Sequence, residues 1–166
     1  VLERVSFTKE QLADALPKLV AQVGAGVILS TCNRTEIYTV SESPAESASQ
    51  VRGFLTDYHH LPPETLSSSL YERTDADAAR HLFRVASGID SMIVGESQVL
   101  GQVRDALSVA SESQSLQVPQ VGLFHAAVRT GRRVREETDV GRNALSISYA
   151  GVRRSSALSR GNGCYS

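Results

Sequence analysis

The chain has 166 residues and a mass of 17.9 kDa, enough for one domain with a buried core. Hydrophobic residues at 41% against 21% charged exclude a disordered polar chain, and no run approaches the ~20 uncharged apolar residues of a membrane span. The net charge of −1 hides an asymmetry, with nine basic against fifteen acidic residues up to position 119 and eight arginines against three acids beyond it. That pattern fits a polyanionic partner or a solvated Arg-rich helix.

Thr8-Lys9-Glu10-Gln11 has the spacing of a capping box, and Leu12, Ala15, Leu16, Leu19, Val20 and Val23 continue it as a helical stripe that Gly24 and Gly26 end. Val27-Ile28-Leu29 and Glu36-Ile37-Tyr38-Thr39-Val40 read as two strands, presenting the polar insert Ser30-Thr31-Cys32-Asn33-Arg34-Thr35 at a sheet end. A helix is expected from Pro44 to about His59, broken by Leu61-Pro62-Pro63. Ser69-Leu70-Tyr71-Glu72-Arg73 reads as a third strand. Helices follow from Asp75 to Ala86, from about Glu96 to Ser113 and from about Val118 to Thr138, with a loop from Ser87 to Gly95. Gly141-Arg142-Asn143 breaks the pattern before a Ser/Ala-rich end. The order predicts an α+β fold: a small, mostly antiparallel sheet with helices on one side, then a helical segment.

Cys32 stands just past a buried strand among Thr31, Asn33 and Arg34. A thiol acts as a nucleophile only as thiolate, and polar and cationic neighbours suit that role; a small core filler is the competing reading. Cys164, in a Gly-rich tail, reads as incidental, and two such distant cysteines form no disulfide framework, which points to a reducing compartment. His81 lies on the face of Ala78, Leu82 and Val85, as a satisfied core histidine or as a proton carrier. The run from Gly88 to Gln102 interleaves glycines with Asp90, Ser91, Glu96, Gln98 and Gln102. Gln98 and Gln102 are four apart, on one helix face, and the group could hold a small zwitterion with Glu96 accepting from its ammonium; capping plus a tight turn is the alternative. No Cys/His cluster has zinc spacing. Gly24-Ala25-Gly26 precedes a strand and lacks a third glycine, so no dinucleotide fingerprint is present.

Ser30-Thr31-Cys32-Asn33-Arg34-Thr35-Glu36-Ile37-Tyr38 resembles the signature of glutamyl-tRNA reductase, and three further stretches resemble the same family in the same order: His81 to Gly88, Gly88 to Gln102, and the segment around Gly131 to Ser146. The resemblance covers about residues 1–150. It implies a catalytic domain over 1–138, and over 139–166 the start of a linker and spinal helix with a divergent tail. The family's NADPH-binding and dimerisation domains have no counterpart in this chain, and its first strand would lie upstream of Val1. The start Val1-Leu2-Glu3-Arg4-Val5 shows no signal-peptide pattern, though without an initiating Met a targeting segment stays open.

The resemblance implies that Cys32 is the nucleophile, taking glutamate from glutamyl-tRNA as a thioester that the full-length enzyme reduces with NADPH to glutamate-1-semialdehyde, the first step of tetrapyrrole synthesis. His81 matches a histidine the family needs, as proton donor or aid to thiolate formation. Thr31, Asn33 and Arg34 would line the substrate pocket, and Ser91, Glu96, Ser97, Gln98 and Gln102 match the glutamate-recognition positions. It also implies a homodimer, a possible glutamate-1-semialdehyde aminotransferase partner, no membrane, and a cytoplasmic location with a plastid left open. The alternative is a non-enzymatic tRNA-binding module built on Arg129, Arg132, Arg133 and Arg135, with Arg153 and Arg154 beyond.

Overall fold

The structure, a computed structural model, describes residues 4–140 apart from 68, 92, 93 and 97. Helix α1 spans Lys9–Val23. The Thr8 hydroxyl accepts from the Gln11 amide while the Gln11 side chain accepts from the Thr8 amide, so the expected capping box closes in both directions. Gly24, at φ +80°, turns the chain out of the helix with its N–H still on Val20 O.

Strands β1 (Gly26–Ser30) and β2 (Thr35–Thr39) pair antiparallel, Gly26 opposite Thr39 and Ser30 opposite Thr35. The four residues between them form the hairpin turn. Helices α2 (Pro44–Tyr58), α3 (Glu64–Ser67), α4 (Asp75–Ala86), α5 (Gln98–Glu112) and α6 (Val118–Glu137) follow. The fold is therefore α+β, as the sequence order predicts.

Two expectations need correction. The segment 69–73 is not a strand, and the sheet among the described residues has two strands, β1 and β2. Leu70 and Tyr71 are 37% and 55% exposed, so this stretch lacks the buried face that would hold an apolar run against a sheet. The helices also do not sit on one side. Successive strand side chains point to opposite faces. Val27 and Leu29 enter one core with Leu82, Val85, Val99, Val103 and Phe124 from α4, α5 and α6. Ile28 enters a second core with Leu16, Leu19, Phe54 and Leu55 from α1 and α2. Each of these three strand residues is nearly inaccessible, and burying such a side chain contributes about 2 kcal/mol. The hairpin is the shared wall of both cores, which fixes where its turn points.

Close approaches complete the frame. A Cβ on Gly131 would stand 2.5 Å from Ala86 O, so α6 meets the C-terminal end of α4 backbone to backbone. The Gln120 amide donates to Tyr38 O at 2.9 Å, tying α6 to β2. Residues 141–166, with Arg142, Arg153, Arg154 and Cys164, lie outside the described residues.

Candidate active site

The hairpin turn is held by one hydroxyl. Thr31, itself buried, accepts on Oγ1 from the amides of Asn33 (3.2 Å) and Arg34 (3.1 Å), while its own N–H donates to Arg34 O at 2.8 Å. These bonds close the turn on Thr31 and leave Cys32 out of the network. Cys32 is exposed, so the core-filler reading fails.

On the far side stands the segment between α4 and α5. Gly88 and Gly95 both have positive φ (+75° and +87°), and the Gly95 amide donates to Gly88 O at 3.0 Å. That clasp pinches the chain into a loop, a conformation side-chain-bearing residues rarely take. Arg135 of α6 fastens its exit: its guanidinium donates to Ala86 O and Gly131 O, each at 2.8 Å, and to Glu96 O at 3.0 Å. Burial alone lowers the Arg135 pKa.

Between turn and loop lies a small cleft lined by Thr31, Cys32, Asn33, Arg34, Ser91, Glu96, Val99 and Gln102. Seven of the ten residues expected to carry chemistry or bind substrate thus meet at one place from three separate stretches of sequence. Ser91 Oγ is buried there without a hydrogen-bond partner among the described residues. Gln98 does not join the lining and is exposed. The face of α5 that meets the cleft carries Val99 and Gln102, three apart, and not the expected pair Gln98 and Gln102. Ser97 lies outside the described residues.

His81 is not in the lining either. It sits behind Arg34, with a side chain 12% exposed and both ring nitrogens facing carboxylates: Nε2 lies 2.7 Å from Glu36 Oε1, Nδ1 3.6 Å from Asp90 Oδ2. It is a largely buried histidine flanked by two carboxylates, outside the lining of the cleft.

Glu36 is the hub that sequence reasoning missed. It is 7% exposed and accepts from Tyr38 Oη (2.5 Å), Tyr71 Oη (2.6 Å), His81 Nε2 and Arg34 Nη1 (3.3 Å). Burial pushes its pKa up, but hydrogen bonds from Tyr38, Tyr71 and His81 outweigh that and hold it below the ordinary value. Burial, then the charge of Glu36, raises the Tyr38 phenol; burial and the bond to Glu36 raise that of Tyr71. Asp90, one of the polar residues of the Gly88–Gln102 run, joins the same network. Arg84 grips it through Nε and Nη2, which lowers its pKa, and its carbonyl accepts from Arg34 Nη2. A glutamate inside a β-branched run, two residues before a tyrosine on the same strand face, was the available signal for this hub.

Arg34 is the bridge. It lines the cleft, yet its two terminal nitrogens are engaged by Glu36 and the Asp90 carbonyl, which orients its guanidinium. In the Arg-rich helix the expected cluster divides: Arg129 and Arg132 are exposed, Arg133 pairs with Glu137 at 3.1 Å, and Arg135 points inward. Among the described residues no three His, Cys, Asp or Glu side chains are grouped to hold a metal ion, and no helix is long and apolar enough to cross a membrane.

The Gly24-Ala25-Gly26 stretch does not fit the phosphates of NADPH. Gly24-Ala25-Gly26 leads into the start of β1, and a Cβ on Gly26 would stand 2.6 Å from Leu19 Cδ2, so this glycine makes room for α1 and not for a phosphate.

Comparison with known proteins places the chain among its relatives. Residues 1–138 match the model of the glutamyl-tRNAGlu reductase N-terminal domain. Over 154 residues, 92% of the chain, there is 44% identity to a glutamyl-tRNA reductase of Chromohalobacter salexigens, of which 36% is covered. The solved glutamyl-tRNA reductase of Methanopyrus kandleri superposes with a TM-score of 0.65 at 32% identity, over 82% of this chain and 31% of that one. The chain thus spans about a third of the length of these relatives.

Proposed function

The chain belongs to the glutamyl-tRNA reductase N-terminal domain family, and on that premise we propose that Cys32 accepts the glutamyl group of glutamyl-tRNA as a thioester. The Cys32 thiolate attacks the ester carbonyl carbon. A carbon–sulfur bond forms, the carbon–oxygen bond to the terminal ribose breaks, and the ribose oxygen leaves as free tRNA, taking up from water the proton that the thiol released on ionising. Splitting a hard reduction into acyl transfer and later hydride transfer is the gain of a covalent intermediate.

The remaining cleft residues divide the amino acid between them. Arg34, already oriented, faces the side-chain carboxylate; Glu96 accepts from the ammonium group; Ser91 and Gln102 supply neutral polar contacts, with Thr31 and Asn33 shaping the turn. His81 serves the reaction from behind, through Glu36 and Arg34. The observation that carries this reading is the meeting of the exposed Cys32 with Arg34, Ser91, Glu96 and Gln102 in one cleft.

In the whole protein, reduction of the thioester with NADPH would yield glutamate-1-semialdehyde for tetrapyrrole synthesis, and the hydride source is assigned to residues other than those described here. The homodimer, the aminotransferase partner and the cytoplasmic setting are proposed on the same family ground. To test the acyl transfer, the chain is mixed with radiolabelled glutamyl-tRNA and the protein is separated under acid. Label should be bound to protein and released by neutral hydroxylamine, and Cys32→Ser should abolish it while still binding tRNA. Label retained by Cys32→Ser would remove Cys32 from the mechanism.

A further inference from the structure

We propose that Tyr71 is a positioning residue for this site: its hydroxyl holds the Glu36 carboxylate square to His81 and Arg34, and so sets the Arg34 wall of the Cys32 cleft. The inference rests on the acyl-transfer reading above and extends it to a residue outside the cleft.

Tyr71 lies in the irregular stretch before α4, with its side of the chain open to water. An exposed tyrosine has no need to bury its hydroxyl, because water satisfies it. Here a residue 55% exposed turns its Oη inward, onto a carboxylate that is 7% exposed. Its neighbours anchor the stretch in that position. The Arg73 guanidinium lies 5.6 Å from the Tyr71 ring centroid, and Glu72 pairs with Arg52 of α2.

The two phenols act on different oxygens. Tyr38 donates to Glu36 Oε2 and Tyr71 to Oε1, and one donor on each oxygen fixes the plane of the carboxylate. His81 and Arg34 then meet the same Oε1. An ionised carboxylate only accepts, so the proton between it and His81 is carried on Nε2. Tyr71 Oη is 3.3 Å from that nitrogen, and its ring meets the imidazole edge-on at 5.6 Å, so Tyr71 also closes the solvent side of the Glu36–His81 bond. Without the hydroxyl, Oε1 loses one of three donors, water reaches the bond, and Arg34 loses its fixed partner.

The test is Tyr71→Phe in the chain, which keeps the ring, its contact with His81 and its place under Arg73. Single-turnover thioester formation should fall about tenfold, the scale of one hydrogen bond to a charged group. The rate loss should persist at saturating glutamyl-tRNA, and the melting temperature should fall by only a few degrees, as the loss of one bond to a buried carboxylate requires. In nitrogen-15 spectra the wild type should show a sharp His81 Nε2–H signal, and the variant a broader one through solvent exchange. Tyr58→Phe, which removes a hydroxyl bonded to Gln11 O on α1, is the matched control and should react at the wild-type rate. A Tyr71→Phe rate within twofold of an active wild type, with the His81 signal unmoved, overturns this inference alone. A wild-type chain that forms no thioester overturns the acyl-transfer reading and takes this inference with it.

Discussion

At Glu36 two forces act in opposition on one carboxylate. Burial favours the neutral acid, while hydrogen bonds from Tyr38, Tyr71 and His81 favour the anion and win. Its folded pKa therefore lies below its unfolded value of about 4.3. The stability this provides is complete above the unfolded value and is lost as pH falls through the folded one. Glu36→Gln should thus cost about 2 kcal/mol at pH 7, the scale of losing charged partners in a buried network. The gap to wild type should narrow steadily once the pH drops below the unfolded value of about 4.3. Urea unfolding at a series of pH values measures it. A gap that stays constant on acidification would mean that Glu36 is not ionised in the fold. Residues carried by an unbroken motif, such as Thr31 to Arg34, were legible in the sequence. Glu36 was legible only as a glutamate paired with Tyr38 on a strand face, because nothing in a linear string tells that Tyr71 and His81, 35 and 45 positions away, converge on it.

Elements were legible where local chemistry decides them. Helix α4 begins and ends at Asp75 and Ala86 as its pattern requires, and α1 follows from its capping box. The stretch 69–73 misled because strand propensity needs a partner edge and a half-buried face, and the fold gives it neither. Helix α6 separates local from tertiary effects most clearly, through two of its glycines. A Cβ on Gly122 would meet nothing within 4 Å, whereas one on Gly131 would meet the Ala86 carbonyl oxygen at 2.5 Å and its carbon at 2.9 Å. Gly122→Ala should therefore stabilise by about 0.5–1 kcal/mol, the ordinary helix-propensity gain. Gly131→Ala should destabilise by about 1–3 kcal/mol, because two backbones must separate. Denaturant midpoints decide it: equal signs for the two substitutions would show that α6 and α4 are not in backbone contact.

Across the whole molecule, α6 carries two opposed tasks on two faces. Its inner face ties the cleft together, since Arg135 bonds α4 through Ala86 O and the cleft loop through Glu96 O. Its outer face presents Arg129 and Arg132 to solvent, with no ion pair to either among the described residues. A charge count along the sequence treats all these arginines as one cluster, and only burial divides them. Arg135→Ala should lower the urea midpoint and slow thioester formation, because Glu96 loses the donor that places it. The double substitution Arg129→Ala with Arg132→Ala should leave the urea midpoint and the chemical step unchanged. If the outer face meets tRNA, it should also weaken tRNA binding and reduce the slope of log affinity against log salt by about one per phosphate contact removed. An unchanged slope would make that face a solvated surface and remove the charge asymmetry as an argument for RNA. An Arg135→Ala chain with normal stability and a normal rate would in turn detach α6 from the cleft altogether.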